Sequence, residues 1–217
     1  MIVVIQCAAT KRHSAGCLVS ASGRQVVFVA RPEAAPADSA RLYARPDDPS
    51  GSGKSWREIL IEYNEHPGNN PLSLCPAWQL YENPTYERLA KMLGVANVFI
   101  LSAGWGLISA SFLTPYYDIT FSPSAAEYKR RRKADRYRDF CMLPADDHSE
   151  IVFLGGKDYI PLFCSLTSAV NNKKTVFYNS AFPPDAPGCT ATRFVTSTRT
   201  NWHYECARSL VGERSAQ

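Results

Sequence analysis

The sequence predicts a three-layer α/β/α domain with a mostly parallel central sheet, and three observations carry that prediction. Short β-forming runs alternate with stretches of helical length along the whole 217-residue chain. The run Val98 to Leu101 is uniformly apolar, too short for a helix and bounded by turn residues, which fits a strand buried on both faces. The composition, 45% hydrophobic and 20% charged, is ordinary globular composition and excludes long disorder, a coiled coil or a collagen-like rod. No repeat is visible, and the length suits one domain over residues 1–217 with one sizeable core.

In chain order, strands are expected at Ile2–Gln6, Gln25–Ala30, Val98–Ser102, Ile151–Leu154 and Thr175–Tyr178, the second as an edge or hairpin partner. Helices are expected at Trp56–Glu65, Pro84–Leu93, Ala125–Leu143, Asp158–Val170 and Asn201–Val211. For the third, Ser124 and Glu127 fit a capping box, and Ala134, Tyr137, Phe140 and Cys141 follow at helical spacing. Long loops fall at about 31–55, 67–78 and 180–190. The last contains Pro183, Pro184 and Pro187 and suits a wall or lid beside the sheet edge.

The opening MIVVIQC has no basic lead, and no later run approaches bilayer-spanning length, so a cytoplasmic protein with no membrane partner is expected. Seven cysteines, at 7, 17, 75, 141, 164, 189 and 206, are scattered without Cys-x-x-Cys or Cys/His spacing. Reduced thiols, no metal and no cofactor follow from that pattern. GSGKS at 51–55 imitates the end of a phosphate-binding loop, but Asp48 stands where the first glycine belongs and no buried strand feeds the segment.

The net charge of +4 is mild, yet Tyr128 to Arg138 carries seven cations against one carboxylate. Tyrosines within such a stripe suit a nucleic-acid contact, although a merely solvated face has the same composition. The candidates for the DNA backbone are Lys129, Arg130, Arg131, Arg132, Lys133 and Arg136.

Ligand crevices of parallel sheets open at the carboxyl ends of strands. Three exits are therefore of interest. The first strand leads into Gln6-Cys7-Ala8-Ala9-Thr10-Lys11, where Lys11 can hold an anion and Cys7 is a thiolate candidate or small apolar filler. The run from Val98 leads through Gly104-Trp105-Gly106 to Pro115, Tyr116, Tyr117 and Asp118, whose aromatics either fill core or meet a ligand. The fourth strand leads into Gly155-Gly156-Lys157-Asp158-Tyr159, where Asp158 caps a helix or serves chemistry. The last helix opens with Asn201, suited to a base edge, and Trp202, suited to stacking or anchoring.

QCAATK at 6–11, RLY at 41–43, LSAGWGL at 101–107, PYYD at 115–118 and GGKDY at 155–159 together resemble a bacterial and phage family of small proteins. That family is related to the peroxide-stress, cantaloupe-fold proteins and to the uracil-DNA glycosylase-like domains of archaeosine-type enzymes. Its Cys-x-x-x-Lys-like loop maps onto Cys7 and Lys11, its Ser-Ala-Lys/Gly-aromatic-Gly-Leu turn onto Ser102 to Leu107, and its Pro-Tyr-Asp element onto Pro115 to Asp118. Gly104 stands where many relatives carry lysine, and the first loop lacks the glycosylases' usual water-activating aspartate.

The resemblance implies a uracil-DNA glycosylase-like fold and a nucleobase pocket. Among relatives the sharpest activity is a phage-defence DNA glycosylase that removes glucosylated hydroxymethylcytosine. The expected product is an abasic site in an intact strand, since no desolvated lysine suited to a Schiff base is legible. On this expectation Asp118, with Asp158 in reserve, is the catalytic carboxylate. Trp105, Tyr116 and Tyr117 stack on the base or its sugar, Asn201 bonds it, Lys11 and Lys157 meet flanking phosphates, and Cys7, Tyr159 and Trp202 complete the pocket. DNA is the expected partner, with no obligate protein partner. A non-catalytic DNA-binding or protecting protein, and a nucleosidase or base-exchange enzyme acting on a small nucleoside, are the competing expectations.

Overall fold

A computed structural model describes residues 1–144 and 148–212. The chain runs β1 (Ile2–Gln6), β2 (Leu18–Val19), β3 (Gln25–Phe28), β4 (Arg41–Ala44), α1 (Trp56–Glu65), β5 (Cys75–Pro76), α2 (Ala77–Leu80), α3 (Pro84–Leu93), β6 (Val98–Ser102), β7 (Gly106–Ser109) and β8 (Leu113–Thr114). It continues with β9 (Phe140–Cys141), β10 (Ile151–Leu154), α4 (Ile160–Leu166), β11 (Lys174–Tyr178), β12 (Thr190–Arg193) and α5 (Trp202–Leu210).

Seven strands form a mixed central sheet in the order β12-β11-β10-β1-β6-β7-β9. Every neighbouring pair from β12 through β6 is parallel, and the sheet turns antiparallel only between β6 and β7. The central positions of β1, β6 and β10 explain their sequences: all of Val98 to Ser102 and Ile151 to Leu154 are buried, as continuous apolar runs in parallel sheets require. From β1 the chain reaches β6 on one side and, later, β10 on the other, so the topological switch lies at the carboxyl end of β1.

The helices start and stop for local reasons. Ser55 caps α1 in a reciprocal box with Glu58, which consumes the serine of the phosphate-loop look-alike as a structural cap. Asn83 caps α3 ahead of Pro84, and Gly94 ends it at φ 81°. Lys174 is buried and donates to the carbonyls of Thr167 at 2.7 Å and Val170 at 2.9 Å, satisfying orphan acceptors beyond α4.

Four expectations are corrected. Ala125–Leu143 is not a helix: it holds one 3-10 turn at Glu127–Lys129 and ends in β9. A helix there would stack like charges three and four residues apart, whereas the observed chain disperses them to separate partners. Its backbone instead pairs outward, with Thr120 N–H donating to Lys129 O at 3.0 Å and Arg131 N–H to Thr120 O at 2.9 Å. The capping residues are engaged elsewhere, Glu127 with Arg31 at 2.9 Å and Ser124 with the Ser122 hydroxyl at 2.9 Å.

Second, β3 is the hairpin partner of β2, one of the two forms expected of it, but it lies outside the main sheet. It is the middle strand of a separate sheet, antiparallel to β2 and parallel to β4. Third, the loop at 31–55 contains β4, a strand that Arg41-Leu42-Tyr43-Ala44 builds against β3. Fourth, α4 begins at Ile160 after Tyr159, without a side-chain cap from Asp158.

Among the described residues, no helix is long and apolar enough to cross a membrane. All seven cysteines are free thiols, and among the described residues no cluster of three or more metal-ligating side chains exists.

Candidate functional site

Gln6, the last residue of β1, fixes the mouth of the sheet. Its side-chain oxygen accepts a 2.6 Å hydrogen bond from Gly156 N–H, and its carbonyl accepts one of 2.7 Å from the Tyr86 hydroxyl. The loops leaving β1 and β10 are thereby clamped side by side at the switch point. Gly155 suits this close approach, since a Cβ there would lie 2.4 Å from the Phe153 ring.

A cleft of about 400 Å³ opens over this clamp. Cys7, Asp158, Tyr159, Asn201 and Trp202 line it. Across Ala9, Thr120 and Ser122 it adjoins a second hollow of about 360 Å³ that contains Lys11, Asp118 and Lys129. Past Phe121 and Asp158 it adjoins a third, of about 340 Å³, rimmed by Arg132, Lys133 and Arg136. A side hollow brings in Lys157 and Pro184, the latter from the proline-rich loop expected to form a wall. Tertiary packing thus places Cys7, Lys11, Asp118, Lys157, Asp158, Tyr159, Asn201 and Trp202 along a groove of adjoining hollows that share lining residues.

Asp118 reaches this groove without belonging to the central sheet. Its N–H donates to Phe28 O at 2.8 Å, so β3 holds the segment after β8 in place. Its carboxylate lies 2.6 Å from Lys129 Nζ and is 22% exposed, accessible to a ligand yet anchored. The hydrogen bond that Lys129 donates to that carboxylate raises the lysine's pKa, keeping the ammonium charged. Asp158 is more exposed and lies 3.5 Å from Lys133.

Lys11 is 4% exposed. Its Nζ lies 4.2 Å from the centre of the Tyr117 ring and donates one 3.3 Å hydrogen bond to Ala9 O. Burial lowers its pKa, against weaker upward pulls from Cys7 and Asp118 and a further lowering by Lys129. Beside it, the Cys7 sulfur contacts the Tyr159 hydroxyl at 3.3 Å, with Tyr159 set edge-on to Phe121 at 5.0 Å.

Several expected ligand contacts are internal instead. Trp105 is fully buried against Phe28 and Tyr117 and presents no face to a base. Tyr117 is equally buried, its hydroxyl bonded to Tyr81 at 2.8 Å and to Ser102 at 2.9 Å. Trp105 fills core because the turn after β6 folds back as the hairpin partner β7 rather than projecting outward, and Tyr117 because its backbone bridges to Phe28 of β3. Tyr116 is half-buried and stacks on His13, with ring centres 6.0 Å apart. Among the predicted backbone cations, Arg131 is 4% exposed, paired with Asp139 at 2.5 Å and donating to Ala103 O at 2.8 Å. It braces the turn from inside and is withdrawn from any duplex. Arg130 donates to Pro123 O at 3.2 Å near the surface, whereas Arg132, Lys133 and Arg136 are exposed.

No pattern in the sequence marked Arg57, a buried arginine paired with Asp47 at 2.5 Å and donating to the carbonyls of Gly104 and Trp105 at 3.1 Å each. With Arg131 it holds all three carbonyls of the Ala103-Gly104-Trp105 turn. Gln6, Phe121 and His203, which complete the groove, were not singled out either; a glutamine ending a buried strand is the one signal that pointed to a terminus role.

Fold and groove define an α/β protein with a cleft at the switch point of a mostly parallel sheet, a half-buried carboxylate and a cationic rim. Comparison with protein-family models, with curated proteins and with solved structures gives no match for the chain.

Proposed function

We propose that the protein is a DNA glycosylase that hydrolyses the N-glycosidic bond of a modified cytosine, glucosylated hydroxymethylcytosine in phage DNA, as a cytoplasmic antiviral defence. The observation that carries the proposal is the anchored Asp118 carboxylate in a groove whose far end is rimmed by Arg132, Lys133 and Arg136. Its α/β architecture is read as the three-layer, uracil-DNA glycosylase-like form. A base within a duplex must be flipped out to be reached, and the adjoining hollows of about 400 and 360 Å³ lie where a base and its attached sugar would enter.

Bond cleavage in such a reaction builds positive charge on the deoxyribose. Asp118 stabilises that charge and orients the attacking water, with Lys129 fixing the carboxylate. Trp202 and Tyr159 form the cleft wall against the flipped base, and Asn201 bonds its edge. Lys157 and the exposed cations of the 129–136 segment meet phosphates.

The test is incubation with unmodified, hydroxymethylated and glucosylated duplexes, followed by mass detection of released base and alkaline cleavage of abasic sites. Release confined to a modified duplex and lost in Asp118→Asn upholds the proposal. No release from any duplex overturns it, and salt-sensitive binding without release would leave a DNA-binding protein.

A further inference from the structure

Lys11 is an unusual lysine. It is buried, its Nζ has one long hydrogen bond to a carbonyl, and among the described residues no carboxylate lies within ion-pair distance of it. A lysine used only to hold phosphate would sit at the rim with its charge in water, as Lys157 and Lys133 do. Lys11 instead stands over the Tyr117 ring at the inner wall of the hollow that it shares with Asp118. The titratable groups around it are Cys7, Asp118, Lys129, Tyr81 and Tyr117. Burial is the largest influence on it and favours the unprotonated amine, the form that has a lone pair.

We propose that Lys11 is an amine nucleophile that captures an aldehydic sugar, forming an imine with C1′ of the abasic deoxyribose left in the Asp118 hollow. The inference rests on the glycosylase reading for the origin of that aldehyde. Neutral Nζ adds its lone pair to the aldehyde carbon of the ring-opened sugar. The carbonyl oxygen gains the proton that the nitrogen gives up, and the resulting carbinolamine loses its hydroxyl, with a second proton from nitrogen, as water. A carbon–nitrogen double bond remains, with no net oxidation or reduction. Covalent capture holds the reactive product in the groove instead of releasing it.

The experiment supplies the aldehyde ready-made, in a duplex whose single uracil has been excised beforehand, and adds sodium borohydride to reduce any imine to a stable amine. The expected result is a denaturant-stable protein–DNA adduct whose modified peptide contains Lys11, and its loss in Lys11→Arg and Lys11→Met. No adduct with the wild-type chain, or an adduct mapping to Lys129, Lys157 or the N-terminus, overturns the inference. Peptide mapping on the unaltered chain keeps the answer independent of whether the variants fold. Base release is assayed separately: release without the adduct overturns imine capture alone, and an adduct on Lys11 without release overturns the glycosylase while upholding the amine chemistry.

Discussion

Gln6 and Gly156 join the two loops that make the cleft, through a 2.6 Å hydrogen bond from the Gly156 amide to the Gln6 side chain. The bond spans 150 residues of sequence and lies where the sheet's connections diverge, so one side chain sets the spacing of the groove's walls. Gln6→Leu removes the acceptor and leaves the Gly156 N–H facing apolar surface. The expected cost is about 1–2 kcal/mol in denaturant unfolding, with a larger proportional loss of activity than of stability because the β1 and β10 loops separate. An unchanged urea midpoint with full activity would show that the clamp is dispensable.

Asp118 and Asp158 are distinguished by their settings. Asp118→Asn keeps the shape and the Phe28 backbone bond but removes the charge facing the groove. Activity on the modified duplex is expected to fall by about 10²-fold or more, with stability changing by less than about 1 kcal/mol because the partner Lys129 reaches solvent. Asp158→Asn, at the exposed rim, is expected to change turnover by less than tenfold. Single-turnover rates of the two variants compare them directly.

The cations of the basic segment divide into two kinds. Arg131→Gln leaves Asp139 buried without its partner and loosens the Ala103 carbonyl, so a destabilisation of about 3 kcal/mol or more is expected. Arg132→Gln, Lys133→Gln and Arg136→Gln should leave the unfolding midpoint unchanged and reduce the salt dependence of DNA binding, by about one unit of slope for each phosphate that is no longer neutralised. Binding isotherms at several salt concentrations, paired with thermal unfolding, separate the two groups.

His203 gives the fold an acid sensitivity. It is buried beside Tyr204, its Nε2 has no hydrogen-bond partner among the described residues, and burial pushes its pKa from 6.5 down to about 4. Between those values the unfolded chain binds the proton and the folded chain does not, so stability is complete above 6.5 and falls as pH drops towards 4. Between pH 7 and pH 5 this amounts to about 2 kcal/mol. His203→Phe should remove that component, which urea unfolding at the two pH values measures.

Strands with a single dominant requirement were legible. Ile2–Gln6, Val98–Ser102 and Ile151–Leu154 are buried on both faces, and nothing in their sequences suits another state. Helices α1 and α3 carried their own caps in Ser55 and Asn83 and match the expected limits. The segment from 125 to 143 misled because its helical spacing was genuine while its backbone partners, Thr120 and Ala30, lie in other parts of the chain. The same limitation hid β4, β7, β9 and β12, short strands that exist only beside a partner.

For the groove, Cys7, Lys11, Lys157, Asp158 and Tyr159 stand at strand exits and Asn201 and Trp202 at a helix start, positions that parallel sheets direct to one edge, whereas Asp118 is delivered by the segment that β3 holds. Trp105, Tyr117 and Arg131 were not separable from them, since an aromatic or arginine has the same letter whether it faces a ligand or a carbonyl.

The sequence by itself determined the α/β class, the strands of the sheet's centre and the capped helices, because hydrophobic burial and end-capping act through neighbours a few residues apart. Tertiary structure alone decided which cations are buried, which aromatics are core and that Lys11 is desolvated. Those properties depend on what lies across space from a side chain, and for Lys11 that is Tyr117, more than a hundred residues further along the chain.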